Sequence, residues 1–398
     1  MEIFMSATDQ DVGFSGRLAN FGAARARHGE RAGFMARMLA VGDPLADAVI
    51  AELDALGQAG RQMLNAGLTD GLGSLKDPPP AIAALLRQLE TVPEWVDREA
   101  LIQGDVVSQS IPPLWNDLAF SVGSLVHTYS SPAIARLLVQ TGQLASMAPR
   151  RLLETGIWRI QSMLPGGLVR GAPGYVQTVQ VRLLHARVRA SALKRGWEHE
   201  RWGVPINQTD VARTWLDFTV VPFRALEKVG IVITEAQQEA LYRHWWYVGY
   251  LLGLDEGFFL PLHNHAEAEA LLELVDSTLT PLDENTRSLA TALLDATADA
   301  LCAVPGSPFT QPLARELLNA LTRSFQGDAV ADALGVSPSS VTSLLPLFAA
   351  GNAETRRWQL RTPDAAEQAR AENLVVYRER TTLVPDGTEY QKHIRATG

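Results

Sequence analysis

The sequence contains a single cysteine, Cys302, in a chain of 398 residues. One thiol cannot form an intramolecular disulfide, and it cannot supply the sets of thiolates that hold structural zinc or iron–sulfur clusters. Any metal must therefore be held by histidine, by carboxylates or by a cofactor. Cys302 itself lies in the apolar stretch ATADALCAV, which favours a buried structural thiol over a nucleophile.

Long apolar runs are also missing. The sequence has no stretch of about 18 apolar residues, so it predicts no membrane-spanning helix. The N-terminus lacks the basic segment and apolar run of a signal peptide, and we expect a cytoplasmic protein. The net charge of −9 argues against binding to nucleic acids or to anionic membranes.

The composition is that of a helical globular protein. Hydrophobic residues make up 46% of the chain and charged residues 20%, and strong β-formers are sparse. We expect an all-α fold with an N-terminal arm and helix over 1–80, a large helical domain over 81–358 and a polar tail over 359–398. Two short β-like runs lie in the tail, at Leu374–Tyr377 and Thr381–Val384. Apolar spacing predicts helices at 44–68, 81–90, 112–145 (interrupted near 130–132), 150–163, 175–195, 207–231, 235–254, 264–278, 283–304, 309–324 and 328–350.

His185 is the most informative histidine. It lies in the middle of a predicted helix, and Val181, Arg182, Val188 and Arg189 share its face. Neutral imidazole is a good axial ligand for haem iron, and arginines one turn away suit the two haem propionates. A core histidine with a satisfied hydrogen bond fits the same spacing, and from spacing alone it is the simpler interpretation.

Arg151 and Thr155 are four residues apart, so they project from one face of the predicted helix at 150–163. A guanidinium and a hydroxyl on one face are suited to a polar pocket for a propionate or for dioxygen. A solvated polar stripe has the same spacing, so this pair by itself is a weak signal.

Taken in order, these residues resemble a known family. Arg151 and Thr155, a connection rich in glycine and proline, and then the helix with His185 resemble the catalytic domain of the rubber oxygenases, the family of latex-clearing protein and MpaB-type oxygenases. Other phrases resemble the family in the same order: PEWVD at 93–97, WGVPINQ at 202–208 with Asp210, Phe218 to Pro222, and GYLLGLD at 249–255. The resemblance covers roughly 90–350.

The resemblance implies a helical domain with a globin-like core around one b-type haem. Members of the family use dioxygen to cleave or oxygenate carbon–carbon double bonds in hydrophobic isoprenoids. Matched residue by residue, His185 takes the place of the proximal iron ligand, and Arg151 and Thr155 take the places of the haem-pocket arginine and threonine. The implied function is a haem-dependent oxygenase with haem b, dioxygen and an apolar, unsaturated small molecule as substrate.

Two departures from the family argue against rubber cleavage. Glu154 stands where rubber-cleaving members carry a lysine, and the segment 131–150 lacks the glutamate that they place on the preceding helix. Glu154 is then the nearest candidate base for an allylic proton. A non-catalytic haem sensor or carrier, and a peroxidase-like or peroxygenase-like use of the haem, remain open alternatives.

Three further patterns give alternatives. His127 is a candidate distal residue. His263 and His265 point in directions about 200° apart on a helix, so they predict a solvated helix start and not a metal site. The segment 328–341 resembles a helix-turn-helix, but 339–350 has no side chain suited to reading bases, so we expect no nucleic-acid partner.

Overall fold

The computed structural model describes residues 13–140, 144–304 and 306–383. Within these residues all regular structure is helical and no strand is present, which confirms the all-α prediction. The α-helices are α1 (Phe21–His28), α2 (Glu30–Met38), α3 (Pro44–Asp70), α4 (Pro80–Glu90), α5 (Arg98–Gln109), α6 (Pro113–Leu118), α7 (Val126–Tyr129), α8 (Pro132–Gln140), α9 (Leu144–Met163), α10 (Pro173–Lys194), α11 (His199–Trp202), α12 (Gln208–Asp217), α13 (Val220–Lys228), α14 (Glu235–Leu251), α15 (His265–Ser277), α16 (Glu284–Ala303), α17 (Gln311–Gln326), α18 (Asp328–Ala333), α19 (Leu345–Arg361) and α20 (Pro363–Arg380).

Local sequence signals explain where several helices begin. Asp43 caps α3 by accepting a hydrogen bond from the backbone N–H of Ala46 (3.2 Å), and Pro44 occupies the first helical position, where no N–H is needed. Thr234 and Gln237 form a reciprocal capping box at the start of α14. Because these signals are local, the predicted starts of both helices agree with the structure.

Helix α10 lies between α3 and α9 and packs against both. Helix α9 also packs against α16, and α14 packs against α5. Buried apolar side chains from these helices join in one large cluster, so the N-terminal helix α3 and the central helices share a core. Within the part of the chain that the structure describes, no helix combines the length and the apolar character needed to cross a membrane.

Two long predicted helices are interrupted. Between α12 and α13, Thr219 leaves helical geometry (φ −121°, ψ −74°), and its hydroxyl donates to the carbonyl of Trp215 at 3.0 Å. Pro222 then lies in the first turn of α13, where a missing N–H is tolerated. The predicted helix at 328–350 divides into α18, a 3₁₀ turn (Ser340–Leu344) and α19, because Gly335 adopts φ +77° and Pro338 follows.

The structure corrects the two β-like runs that the sequence predicts in the C-terminal segment. Leu374–Tyr377 belongs to α20, which packs against α5, α6 and α9. Tyr377 is fully buried, and its hydroxyl donates to the carbonyl of Ile111 at 2.9 Å. Packing of this face therefore outweighs the β-propensity of the run. In the second run, Thr381 and Thr382 form a turn, and Val384 lies outside the described residues.

A π-helical segment, Ala119–Leu125, joins α6 to α7. The side-chain amide of Gln326 on α17 donates to the carbonyls of Val122 (3.0 Å) and Gly123 (2.8 Å) in this segment. Contacts of this kind satisfy carbonyl groups that the wider turn presents less well to the helix itself. The wide turn is thus held by a neighbouring helix.

Candidate functional site

Helices α9 and α10 form an antiparallel hairpin that carries the residues predicted from the sequence. Close approach at its corner depends on Gly174, where a Cβ atom would lie 2.5 Å from a carbonyl oxygen of α9. Farther along, the indole N–H of Trp158 donates to the hydroxyl of Thr178 at 2.9 Å. Two turns beyond this contact on each helix, the register brings His185 on α10 level with Arg151 on α9.

His185 is half-buried, and neither ring nitrogen has a hydrogen-bond partner among the described residues. Burial lowers the pKa of the imidazole to about 4, and the positive charge of Arg189 acts in the same direction, while the carboxylate of Asp43 opposes it. The ring is therefore neutral at physiological pH with a lone pair that no described residue engages. This is the protonation state that a metal-ligating histidine requires.

Arg182, one turn before His185, is buried and bonded to Asp43 and Gln88. Its Nε donates to Oδ2 of Asp43 at 2.5 Å, and its Nη2 donates to Oδ1 of the same carboxylate at 3.0 Å. Its Nη1 donates to Oε1 of Gln88 at 2.8 Å. The bidentate geometry fixes the distance and angle between α10 and the start of α3.

Arg189, one turn after His185, is held in the same way. Its Nε donates to Asp47 Oδ1 at 3.0 Å, and its Nη1 donates to the carbonyl of Ile206 at 2.9 Å. Both arginines on the face of His185 thus join α10 to the first turn of α3. Their expected contacts with haem propionates stay predictions.

Two of the segments that resemble the family meet where α10 contacts the start of α3. The amide of Gln208, from WGVPINQ, donates to the carbonyls of Gly42 and Gly253, both at 2.9 Å, and accepts from the N–H of Asp255 at 2.8 Å. Gly253 and Asp255 belong to GYLLGLD. Gly253 has φ +76°, and a Cβ there would lie 2.5 Å from the guanidinium of Arg182. These phrases therefore build the support of the His185 helix.

On α9, Arg151 and Thr155 are half-buried and lie one turn apart. Burial raises the pKa of the Tyr129 hydroxyl, and the charge of nearby Arg151 limits that rise. Glu154 is buried, and Oε1 of its carboxylate accepts from Nε of Arg150 at 2.9 Å. The hairpin thus collects all the predicted site residues, while their contacts with a ligand stay predictions.

His127 belongs to a separate buried ionic network. Its Nδ1 lies 2.7 Å from Asp217 and its Nε2 lies 3.0 Å from Asp276, and Arg213 donates to its carbonyl at 2.8 Å. Burial acts to lower the pKa of His127, but the carboxylates of Asp276 and Asp217 outweigh it and raise the pKa to about 9. Carboxylates occupy both ring nitrogens, which argues against His127 as the distal residue.

The other histidines that the structure describes are not grouped for metal binding. Across residues 13–140, 144–304 and 306–383, no group of three or more histidine, cysteine, aspartate or glutamate side chains is placed to hold a metal ion. Asn264 caps α15, which begins at His265, and Nδ1 of that histidine lies 2.7 Å from the hydroxyl of Tyr242. Cys302 is partly buried.

The sequence analysis missed Asp43 and Asp47, the carboxylates that hold the two arginines. A signal was present, because Asp-Pro is a typical helix start and buried arginines require counter-charges. What the sequence does not show is the pairing itself, since Asp43 and Arg182 are 139 residues apart in the chain.

Comparisons with known proteins agree with the all-helical fold. The family model described as "ER-bound oxygenase mpaB/B'/Rubber oxygenase, catalytic domain" matches residues 115–357. No curated protein matches the sequence. The solved structure of latex clearing protein LCP in the closed state is similar with a TM-score of 0.65 and 20% identity, over 85% of this chain and 91% of that chain. At this identity the similarity concerns the fold.

Proposed function

Because the chain belongs to the mpaB/B' and rubber oxygenase family, we propose that it is an oxygenase that depends on one b-type haem and acts on a hydrophobic, unsaturated small molecule. His185 carries the proposal, as the proximal iron ligand. Its imidazole is neutral, and no described residue engages either nitrogen. The ring of the half-buried His185 is therefore available to a ligand.

The donor chemistry around His185 fits a haem. One neutral imidazole is sufficient as an axial ligand, and the guanidinium of Arg151 on the facing helix is suited to a propionate. When bound, haem supplies the iron that activates dioxygen. The protein contributes orientation of the substrate and exclusion of water.

We assign to Arg182 and Arg189 the role of positioning His185. Each guanidinium is already paired with a carboxylate, Arg182 with Asp43 and Arg189 with Asp47. Held at both ends of the His185 turn, α10 cannot rotate about its axis without breaking an ion pair. The direction of the imidazole is therefore set by the joint with α3.

On the facing helix, Arg151 and Thr155 supply hydrogen-bond donors to the pocket. We assign Glu154 as the group that accepts a proton from the substrate, because it is the carboxylate nearest to these two residues in the sequence. Its ion pair with Arg150 holds the carboxylate against the helix. The absence of a lysine at this position leads us to expect no cleavage of polyisoprene.

Absorption spectra test the haem ligand directly. The wild-type chain loaded with haem is expected to show a Soret band in the oxidised and dithionite-reduced states, and His185→Ala is expected to lose or shift it. His199→Ala is the matched control, because His199 is exposed. Added imidazole is expected to restore the band in His185→Gly. A wild-type chain without a Soret band, or a variant with an unchanged one, refutes the assignment.

Oxygen uptake separates the enzyme from a carrier. We expect uptake that depends on a terpenoid alkene and falls in Glu154→Gln. Haem binding without such uptake indicates a sensor or carrier. A Glu154 that is held in its ion pair with Arg150 is compatible with that role. Turnover with hydrogen peroxide in place of dioxygen indicates a peroxygenase-like enzyme.

A further inference from the structure

A series of tryptophan and tyrosine rings runs from the α9–α10 hairpin to the start of α15. Trp158, one turn after Glu154 on α9, begins the series, and its ring centre lies 6.2 Å from that of Trp245. The indole N–H of Trp215 donates to the carbonyl of Trp245 at 2.7 Å, and the Trp215 ring centre lies 6.2 Å from that of Tyr242. All four side chains are buried. Protein atoms alone therefore connect the proposed haem site to Tyr242, and we call these four residues the aromatic relay.

Tyr242, the last ring of the aromatic relay, is bonded to a histidine on α15. Its hydroxyl oxygen lies 2.7 Å from Nδ1 of His265. Oε1 of Glu269 lies 3.5 Å from Nε2 of the same imidazole, and Nε of Arg224 donates to that carboxylate oxygen at 2.8 Å. Because the carboxylate favours a proton on Nε2, the lone pair of the neutral ring is on Nδ1, and the phenol O–H donates to it.

Both partners are in the state that transfer of a proton from Tyr242 to His265 requires. Burial raises the pKa of the Tyr242 phenol, so the phenol keeps its proton in the resting protein. Burial lowers the pKa of His265, although the charge of Glu269 acts in the opposite direction, so the imidazole is neutral and can accept a proton. The 2.7 Å between oxygen and nitrogen allows direct transfer.

These features suit the transport of an oxidising equivalent. Tryptophan and tyrosine side chains are readily oxidised by one electron, and oxidation of a buried tyrosine is easy only where a neighbouring group takes the phenolic proton. We propose that Tyr242 and His265 are a redox-active pair that receives oxidising equivalents from the proposed haem site through the tryptophans of the aromatic relay. The proposal rests on the proposed function for its natural oxidant, a one-electron oxidant formed at that site.

In the final step Tyr242 gives one electron to the oxidised Trp215, and its O–H proton passes to Nδ1 of His265. The products are a reduced Trp215, a neutral tyrosyl radical and an imidazolium that faces Glu269. A soluble one-electron reductant such as ascorbate returns the electron, and the proton moves back from Nδ1 to the tyrosine oxygen. The His265 side chain is 23% exposed, so this end of the relay is close to solvent. When no substrate is bound, the relay thus removes oxidising equivalents that would otherwise damage the site.

A light-triggered oxidant tests the relay without haem. Gly156 is two residues from Trp158 on α9, and a Cβ there meets nothing within 4 Å, so Gly156→Cys offers a site for a ruthenium polypyridyl label in a Cys302→Ser background. After a flash with a soluble electron acceptor, we expect a tyrosyl radical in electron paramagnetic resonance spectra of the full chain. Tyr242→Phe is expected to abolish this signal. Tyr175→Phe, at another buried tyrosine, is expected to leave it unchanged.

Two further variants test the path and the proton acceptor. Trp215→Phe keeps a ring that is not readily oxidised, and it is expected to slow the appearance of the radical. His265→Phe removes the proton acceptor and is expected to lower the yield of the radical, whereas His263→Phe, at an exposed site two residues away, is the matched control.

A measurement on the labelled chain with its relay intact guards against a variant that fails to fold. Deuterium electron–nuclear double resonance is expected to show an exchangeable proton hydrogen-bonded to the radical. Absence of a radical, a radical that persists in Tyr242→Phe, an unchanged rate in Trp215→Phe or a radical without that proton overturns the proposal. The label oxidises the chain whether or not haem binds, and the Soret band is read on unlabelled protein, so failure of the haem proposal is distinguishable.

Discussion

Replacement of Asp43 with alanine tests whether its ion pair holds the His185 helix. The carboxylate caps α3 through the N–H of Ala46 and binds the guanidinium of Arg182, whose side chain is 4% exposed. Without it, Gln88 is the remaining side-chain acceptor seen for Arg182 in the described residues. Breaking a buried ion pair costs about 3–5 kcal/mol and losing a helix cap about 1 kcal/mol. We expect Asp43→Ala to lower the free energy of unfolding by about 4–6 kcal/mol.

The assay is urea unfolding followed by far-ultraviolet circular dichroism, with Asp47→Ala as the matched control. Asp47 pairs with Arg189 in the same turn, but its side chain is 40% exposed, so we expect a loss of about 1 kcal/mol. Because Asp43→Ala frees α10 from α3, the affinity for the proposed haem is expected to fall further in this variant than in Asp47→Ala. Equal losses of stability in the two variants refute the reasoning.

Two other residues give predictions of the same kind. Folding raises the pKa of His127 from 6.5 to about 9. Its ion pairs therefore stabilise the fold fully below about pH 6.5, and this stabilisation is lost as the pH rises through about 9. The urea midpoint is expected to fall over that range in the wild type and to stay level in His127→Gln. Gly253→Ala puts a Cβ 2.5 Å from the guanidinium of Arg182, whereas at Gly196 (φ +80°) a Cβ meets nothing within 4 Å. We expect Gly253→Ala to lower the free energy of unfolding by about 1–3 kcal/mol more than Gly196→Ala, measured by thermal unfolding. Equal losses would show that the positive φ, and not the contact with Arg182, sets the cost.

The helical fold was predictable because its signals are local. The segment predicted at 175–195 is α10, Pro173–Lys194, since a proline at the start and continuous apolar spacing define it. The run Leu374–Tyr377 misled because its buried residue, Tyr377, bonds to Asn116 of α6 and to the carbonyl of Ile111, and only such tertiary contacts decide between strand and helix. The breaks near Thr219 and Gly335 depend on backbone angles that spacing does not encode.

The residues of the proposed site can be singled out from the sequence, but the contacts that hold them cannot. His185, Arg151 and Thr155 stand out by residue type and order, and the hairpin puts them on facing helices. The arginines beside His185 are a different case, because their partners come from a helix far earlier in the chain. Residue type alone cannot separate an arginine that binds an anionic ligand from one that holds two helices together.

The π-helical segment between α6 and α7 sets the angle, about the helix axis, between side chains that precede it and side chains that follow it. It takes up an extra residue, so Asn116 before it and His127 after it keep directions that one continuous α-helix would not give them. Rewinding the segment to α geometry would turn His127 by about 100° about the helix axis, away from Asp217. Loss of one residue inside the segment would instead leave both ends facing as they do. The amide of Gln326 therefore secures the orientation of Asn116 relative to the ionic network around His127.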